Sequence, residues 1–520
     1  MQSLPALIGG DAERGAELYA GNFDLAGSAA SADGASVFAL APPSRPWFRE
    51  LHGFAWLADL RASETALARA YGRALVEEWI ARGCHKRGAQ APDIAARRIL
   101  SWLENAPFLL GDSEPAFRRA FARSLARQTR RLYRDFGSAP AGTSRLTAAV
   151  AITATGLCLD ERPAVTNAGR KLLGDELALQ ILPDGGHVSR NPAALITVLR
   201  DLLPLRHLFA LRQMEPPSGL LVAIDRVQPM LRFFRHGDGT LALFNGMGAT
   251  PAALLAAIAA ADDAQGRPVL NAGHAGYQRI EAGPALLIAD AGLPPPPLFS
   301  TAAHAGTLSF EFSVGRERMI VNCGAPAGEG GEALKASRRT AAHSTVTIAE
   351  ASSSRFAKSD ALNALVGGLP MVEGPEHVEC VREESPEATV LRLAHDGYSP
   401  RFGIVHQRRL KLAHDGTRLE GVERFRAVGP RKPSAQPFSV RFHLHPDVQA
   451  ARTANGGSVI LRLPSGMAWI FEADGLACEV EESILFSASE GARHSQQIVV
   501  RGTTGDIERL AWSFSRTAPR

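Results

Sequence analysis

Three short stretches hold the residues best equipped for chemistry. LPDGGHVSRNP, residues 182–192, sets His187 and Arg190 just ahead of a proline-opened helix start. A helix N-terminus favours anions, and a histidine and an arginine beside it add donors for a carboxylate. The competing reading is a plain helix-entry loop. RRTAAHSTVTIAE, residues 338–350, carries His343. In an extended strand Val346 and Ile348 share one face, and His343, Thr345 and Thr347 share the other. That polar face borders a cleft or, in the blander reading, solvent. AHDGYSPRFGIVHQRRL, residues 394–410, adds His395, Asp396, Tyr398 and His406. His343 and His395 with Asp360 would make a mixed set of the kind zinc accepts. His406 keeps register with Phe402 and Ile404 and reads as a buried, satisfied histidine. His443 and His445 in FHLHP are spaced to chelate a metal or to line an exposed polar face.

These groups sit in a chain of 520 residues with Lys+Arg 57 and Asp+Glu 53, a net charge of +4. Such a balance excludes a dedicated nucleic-acid coat and leaves room for a local basic cleft. With 45% hydrophobic and 21% charged residues the composition is globular, enough for about three ordinary domains or two large ones. Cysteines 84, 158, 323, 380 and 478 form no CxxC pair, so neither a disulfide framework nor a zinc ribbon is expected. No GxGxxG, P-loop, GxSxG or HExxH occurs, and nucleotide and common hydrolase chemistries lose support. The apolar run Ala249–Ala261 is too short to span a bilayer. The start, MQSLPALIGGDAERG, lacks a basic opening and a long apolar core, and reads as no signal peptide. Phe117–Tyr133 carries Arg118, Arg119, Arg123, Arg127, Arg130 and Arg131, with Arg134 just beyond. A solvated helix face is the ordinary explanation of that stripe, and an anionic-glycan surface the other.

Elements must position these groups. Up to about residue 235 the apolar spacing is helical: Trp47, Leu51 and Phe54, then Ile94, Arg98, Ser101 and Asn105, then Phe117, Phe121, Leu125 and Leu132. Consecutive amphipathic helices with short connections predict antiparallel hairpins in an open ring. Beyond residue 300, short alternating strands separated by Asp-Gly and Asn-Gly turns predict a large antiparallel sandwich. The expected organisation is multidomain α + β. A lead-in spans 1–41, an incomplete (α/α) toroid 42–235, a bridge with a short helix 236–300 and an antiparallel β-sandwich 301–520.

That order of elements, with DGGHVSRNP, AAHSTVTI and the HDGY…VHQRRLKL segment, resembles the heparinase II/III-like family of polysaccharide lyases. The resemblance spans most of residues 45–505 and implies an (α/α) toroid with a β-sandwich. It also implies β-elimination at a uronic acid: a base takes the proton beside the carboxylate, an acid protonates the leaving oxygen, and a third group neutralises the carboxylate. Carried over by residue, the family's Asp-Gly-Gly-His is Asp184–His187, and the sheet histidine is His343. Where the family often carries tyrosine, this chain has Ala194. Where zinc-holding relatives place a second histidine, it has Ala341. The resemblance therefore implies His343 and His187 at the centre, with Arg190 pairing with the carboxylate. Tyr277 or Tyr398 would supply the acid, and zinc on His343, Asp360 and His395 is an option. The implied partner is an anionic polysaccharide, not a nucleic acid, with a homodimer as an option. The implied compartment is the periplasm or cell envelope, with the cytoplasm as alternative. Two functions compete: a lyase, and a non-catalytic glycan-binding or envelope-scaffold protein on the same fold. A glycoside hydrolase using Asp184 and Glu176 is a third.

Overall fold

The structure, a computed structural model, describes residues 1–520 apart from 83–87, 160–162, 263–265, 329–330, 360–367, 430–433, 489–490 and 518–520. Its contacts divide the chain into two compact units. The first comprises Met1–Ile181, Ile196–Asp225 and Ala253–Gln265; the second comprises Leu182–Leu195, Arg226–Ala252 and Gly266–Arg520. Asp360 and Cys84 lie outside the described residues.

The first unit is helical. Its helices are α1 (Ala12–Tyr19), α2 (Arg45–Gly53), α3 (Leu57–Ala62), α4 (Ala66–Ala81), α5 (Pro92–Glu104), α6 (Ala106–Leu110), α7 (Pro115–Arg134), α8 (Thr143–Cys158) and α9 (Pro163–Gln180). Most of α10 (Pro192–Leu211), half of α11 (Ser218–Phe233) and α12 (Ala252–Ala260) complete it. Local chemistry sets the helix starts: Ser44 and Thr65 cap α2 and α4, and Pro92 opens α5. Their apolar stripes meet in an aromatic cluster of Phe54, Trp56, Trp79, Trp102 and Phe121. Arg98, predicted on the periodic face of α5, is fully buried. It stacks on Trp79 at 4.0 Å and donates to Gln128, His52 and Ala89. Along α7, Phe117, Phe121, Leu125 and Leu132 are buried, and Arg119, Arg123, Arg127 and Arg130 are exposed. The lead-in is not irregular: besides α1 it holds a hairpin of β1 (Asn22–Leu25) and β2 (Ser28–Ser31).

The second unit is strand-rich. Its strands are β3 (Asn271–Ala272), β4 (Tyr277–Ala282), β5 (Ala285–Asp290), β6 (Phe310–Val314), β7 (Glu317–Val321), β8 (Val346–Ile348), β9 (Arg355–Phe356), β10 (Met371–Glu373), β11 (Val378–Glu384), β12 (Ala388–His395) and β13 (Ile404–Ala413). They continue as β14 (Arg418–Ala427), β15 (Pro437–Leu444), β16 (Gln449–Arg452), β17 (Ser458–Arg462), β18 (Ala468–Ala473), β19 (Cys478–Leu485), β20 (Arg493–Thr503) and β21 (Arg509–Arg516). One sheet of eight runs β11-β12-β13-β14-β21-β18-β17-β16; one of nine runs β19-β20-β15-β7-β6-β5-β4-β3, with β8 on β15. Their inner faces share a core of Phe310, Phe312, Phe442, Phe471, Trp512 and Phe514. The expected bridge is therefore not a connector. Residues 271–290 give β3, β4 and β5 of the nine-stranded sheet, and 182–195 also belong to this unit. Its Gly and Pro content marks tight turns between strands. Among the described residues no helix is long and apolar enough to cross a membrane.

Candidate functional site

The site is built from the loop 182–191 upward. Asp184 folds the loop back: its carboxylate accepts from the Gly186 and Ala275 amides. Gly185 sits at φ 88, and a Cβ there would collide with the Arg226 carbonyl. Asn191 caps α10 through the Ala193 amide at 2.9 Å. Between them Arg190 takes a left-handed φ of 59 and turns inward. Its guanidinium donates to Ala275 O (2.7 Å), Gly276 O (3.0 Å), Leu293 O (3.0 Å), Gly292 O (3.3 Å) and Asp290 Oδ1 (2.6 Å). All five N–H groups are engaged inside the protein.

The network continues through Tyr277 on β4. The Tyr277 hydroxyl donates to Arg190 O at 2.6 Å and accepts from Asn245 Nδ2 at 2.7 Å. Its ring packs under the Arg190 guanidinium and against Phe234 and Phe244. Asn245 Nδ2 also reaches Asp290 at 3.2 Å, and Asn245 Oδ1 accepts from the His304 amide. Burial raises the Asp290 carboxyl, with Arg190 opposing, and burial raises the Tyr277 hydroxyl well above its ordinary range.

His304 leads on to His343. His304 Nδ1 lies 3.1 Å from His343 Nε2, and His343 Nδ1 lies 2.9 Å from the Arg339 carbonyl. A carbonyl only accepts, so His343 carries its proton on Nδ1, and its Nε2 accepts from His304 Nδ1–H. His304 Nε2 is then an unprotonated nitrogen, buried with no hydrogen-bond partner among the described residues. Burial holds His343 down to about 4 and His304 well below the histidine range, so both are neutral. The polar face expected for His343, Thr345 and Thr347 is buried, as is the face of Val346 and Ile348. With both faces covered, alternation said nothing about exposure.

His187 bonds within its own loop. Its Nδ1 accepts from the Ser189 amide at 3.1 Å and meets the Ser189 hydroxyl at 2.7 Å, and burial holds it down to about 4. Tyr277, within the span expected as a bridge, is the first residue of strand β4. Tyr398 belongs elsewhere: its hydroxyl donates to Val346 O at 2.7 Å and its ring packs on His395.

His395 heads a second buried chain. The Gly397 amide donates to His395 Nδ1 at 3.0 Å, so His395 Nε2–H points to His406 Nδ1 at 3.3 Å. His406 Nε2–H then meets Glu423 at 2.7 Å, and Glu423 also takes Arg408 and Trp512 Nε1. Burial disfavours the Glu423 charge, but Arg408 and His406 outweigh it and hold the carboxyl at about 2.

Asp360, the expected third zinc ligand, lies outside the described residues. His343 and His395 each spend both ring nitrogens within the chain. Among the described residues no three His, Cys, Asp or Glu side chains group as metal ligands. Of the FHLHP pair, His443 is held by Ser483 and Ala341 O, and His445 faces Asp447.

The structure thus brings Arg190, Tyr277 and His343 into one network and places Tyr398 and His395 against each other elsewhere. Asn245, Asp290 and His304 complete that network and were missed by the sequence reading. Asn245 in FNGMG reads as a turn residue and Asp290 as a strand end. His304, a histidine amid small residues in TAAHAGT, was the one available signal.

Comparison with known proteins follows the same lines. Residues 264–513 match the model of the heparinase II/III-like C-terminal domain. FtsZ-localized protein C of Caulobacter vibrioides (strain NA1000 / CB15N) is 34% identical over 505 residues, covering 94% of this chain and 85% of the relative. The crystal structure of heparinase III superposes with a TM-score of 0.75 at 14% identity, over 94% of this chain and 80% of that one. A mutant of the heparan sulfate lyase HepC from Pedobacter heparinus gives 0.68 at 16% identity, over 98% and 83%. The helical region followed by large antiparallel sheets is the toroid and β-sandwich architecture of heparinase III.

Proposed function

The chain belongs to the heparinase II/III-like family, and on that footing we propose that it is a non-catalytic scaffold protein of the cell envelope, working with the FtsZ division machinery. The closed network around Arg190 carries the first half of this reading. A lyase needs a free group for the substrate carboxylate, a base and an acid. Arg190 has no donor left for a carboxylate, and Tyr277 gives its proton to a backbone carbonyl. His343 is fixed between Arg339 and His304. Ala194 and Ala341 stand where the family pattern has reactive or ligating side chains. The second half rests on the relative whose name places it with FtsZ, alike over 94% of this chain. The test is a fluorescent fusion expressed at native level in the source bacterium. The expected image is a mid-cell band that disperses when FtsZ is depleted. A uniform distribution indifferent to FtsZ would refute the division role.

One observation favours a second reading, a lyase acting on a uronic-acid polysaccharide. His304 Nε2 is an unprotonated nitrogen with no partner among the described residues, which is what a proton acceptor requires. An ultraviolet assay for unsaturated uronate over a panel of acidic polysaccharides separates the readings. Product formation that is lost in His304→Ala would establish the lyase.

A further inference from the structure

The outer face of the eight-stranded sheet carries charge that the site above does not use. Along β13 and most of β14 outward residues alternate with core residues, and Arg392 on β12 and Arg509 on β21 are exposed. Arg392 faces Arg409 across β12 and β13, and Arg424 faces Arg509 across β14 and β21. Arg409 faces Val422, two residues from Arg424. Directly opposed side chains lie about 5 Å apart at Cβ, and diagonal ones about 7–8 Å. Glu383 neutralises Arg392 at 2.9 Å. Arg409, Arg424 and Arg509 make no ion pair with a carboxylate among the described residues. Arg409 Nε is buried with no hydrogen-bond partner among the described residues, and its charge acts on Glu383 alongside Arg392. Opposed like charges destabilise a sheet, and a merely solvated face gives no reason to gather three of them.

The face is also concave. Two adjoining cavities of about 480 Å³ each share Arg409, Val422 and Arg509 and make one groove; one end adds Arg392, Arg424 and a single carboxylate, Glu379, and the other adds Arg418 with Glu420, Glu472 and Asp474. Val381, 52% exposed, adds an aliphatic wall. Trp512 is the aromatic residue lining the groove, but its ring stacks on Phe310 in the core at 5.8 Å. The groove therefore offers no ring face on which a sugar could stack. The four arginine-bearing strands are second to fifth in the sheet, so contact at the arginines is through side chains.

We propose that the arginine-rich end of this groove, where Glu379 is the one lining carboxylate among the described residues, binds an acidic segment of a partner protein. Arg409, Arg424 and Arg509 take its carboxylates, with guanidinium geometry suited to bidentate pairing. Val381 and Val422 take its aliphatic side chains. The assignment rests on the scaffold reading and names the partner's chemistry.

The test uses the purified full chain and fluorescein-labelled poly-L-glutamate, read by anisotropy. The variant Arg409→Gln/Arg424→Gln/Arg509→Gln weakens binding about a hundredfold, three exposed charge pairs at about fivefold each. Arg119→Gln/Arg123→Gln/Arg127→Gln on the exposed face of α7 leaves it unchanged. The sheet variant keeps or raises the wild-type Tm, because removing mutual repulsion costs nothing in folding. Undiminished binding in the sheet variant, loss confined to the α7 variant, or a lower Tm overturns the proposal. So does tighter wild-type binding to alginate or to phosphatidylglycerol vesicles than to poly-glutamate. A fusion that ignores FtsZ while poly-glutamate binding still depends on the three arginines sinks the scaffold reading and keeps the groove. A mid-cell band with binding independent of them does the reverse.

Discussion

Arg190 shows how a residue that reads as a ligand group becomes a structural one. It stands beside a helix start, where an anion is expected, yet its backbone turns the side chain into the protein. There it closes four carbonyls and Asp290 into one cluster. Arg190→Ala strands Asp290 as a buried, unpaired carboxylate, and a loss of about 3–5 kcal/mol in denaturant unfolding is expected. Arg190→Lys recovers little, because one ammonium cannot reach acceptors spread over a planar fork. Tyr277→Phe removes the hydroxyl joining Arg190 O to Asn245, with an expected loss of about 1–3 kcal/mol. A stability unchanged by Tyr277→Phe would contradict the network. The sequence marks Arg190, Tyr277 and His343 through residue type and context. It does not mark Asn245 and Asp290, since the motif supplies no signal for a partner reached through folding.

At the scale of elements, periodicity located the helices well, because each presents one buried stripe. It served the strands less well. Along β6 Glu311 and Ser313 are as buried as Phe310 and Phe312, with Glu311 held by Arg318 and His236. A strand covered on both faces hides its polar partners from any alternation rule. The bridge was misread for a related reason: glycine and proline mark hairpin turns as readily as connectors. Helix packing makes its own prediction. In the helical unit Asp201 takes both arms of Arg97, with Arg200 and Thr147 alongside. Burial disfavours its charge, yet the two arginines hold it at about 2. At Glu104, at the end of α5, burial outweighs the opposing pull of Arg97, Arg200 and Arg61 and raises the carboxyl to about 7. Its folded value lies above its unfolded one, so its contribution is fully present at low pH and is lost as pH rises from about 4.5 to 7. Glu104→Gln is therefore expected to gain stability over the wild type near about pH 8 and none near about pH 4. Equal differences at both would refute the assignment.

For the whole molecule, a net charge of +4 conceals a set of neutral histidines. Burial holds His187 and His343 at about 4 and His443 at about 3. Each lies below its unfolded value near about 6.5. Their contribution is thus full above about pH 6.5 and is lost as pH falls toward the folded values. Thermal midpoints are expected to drop steeply between about pH 6.5 and 4, with proton uptake on unfolding. A flat profile there would contradict the neutral network. The central claim is association with FtsZ on a fold whose chemical groups are closed off. The most direct measurement is co-sedimentation of the purified chain with polymerised FtsZ from the same bacterium. The chain is predicted to pellet with the polymers in a saturable way. A chain that stays in the supernatant at every FtsZ concentration would contradict the account.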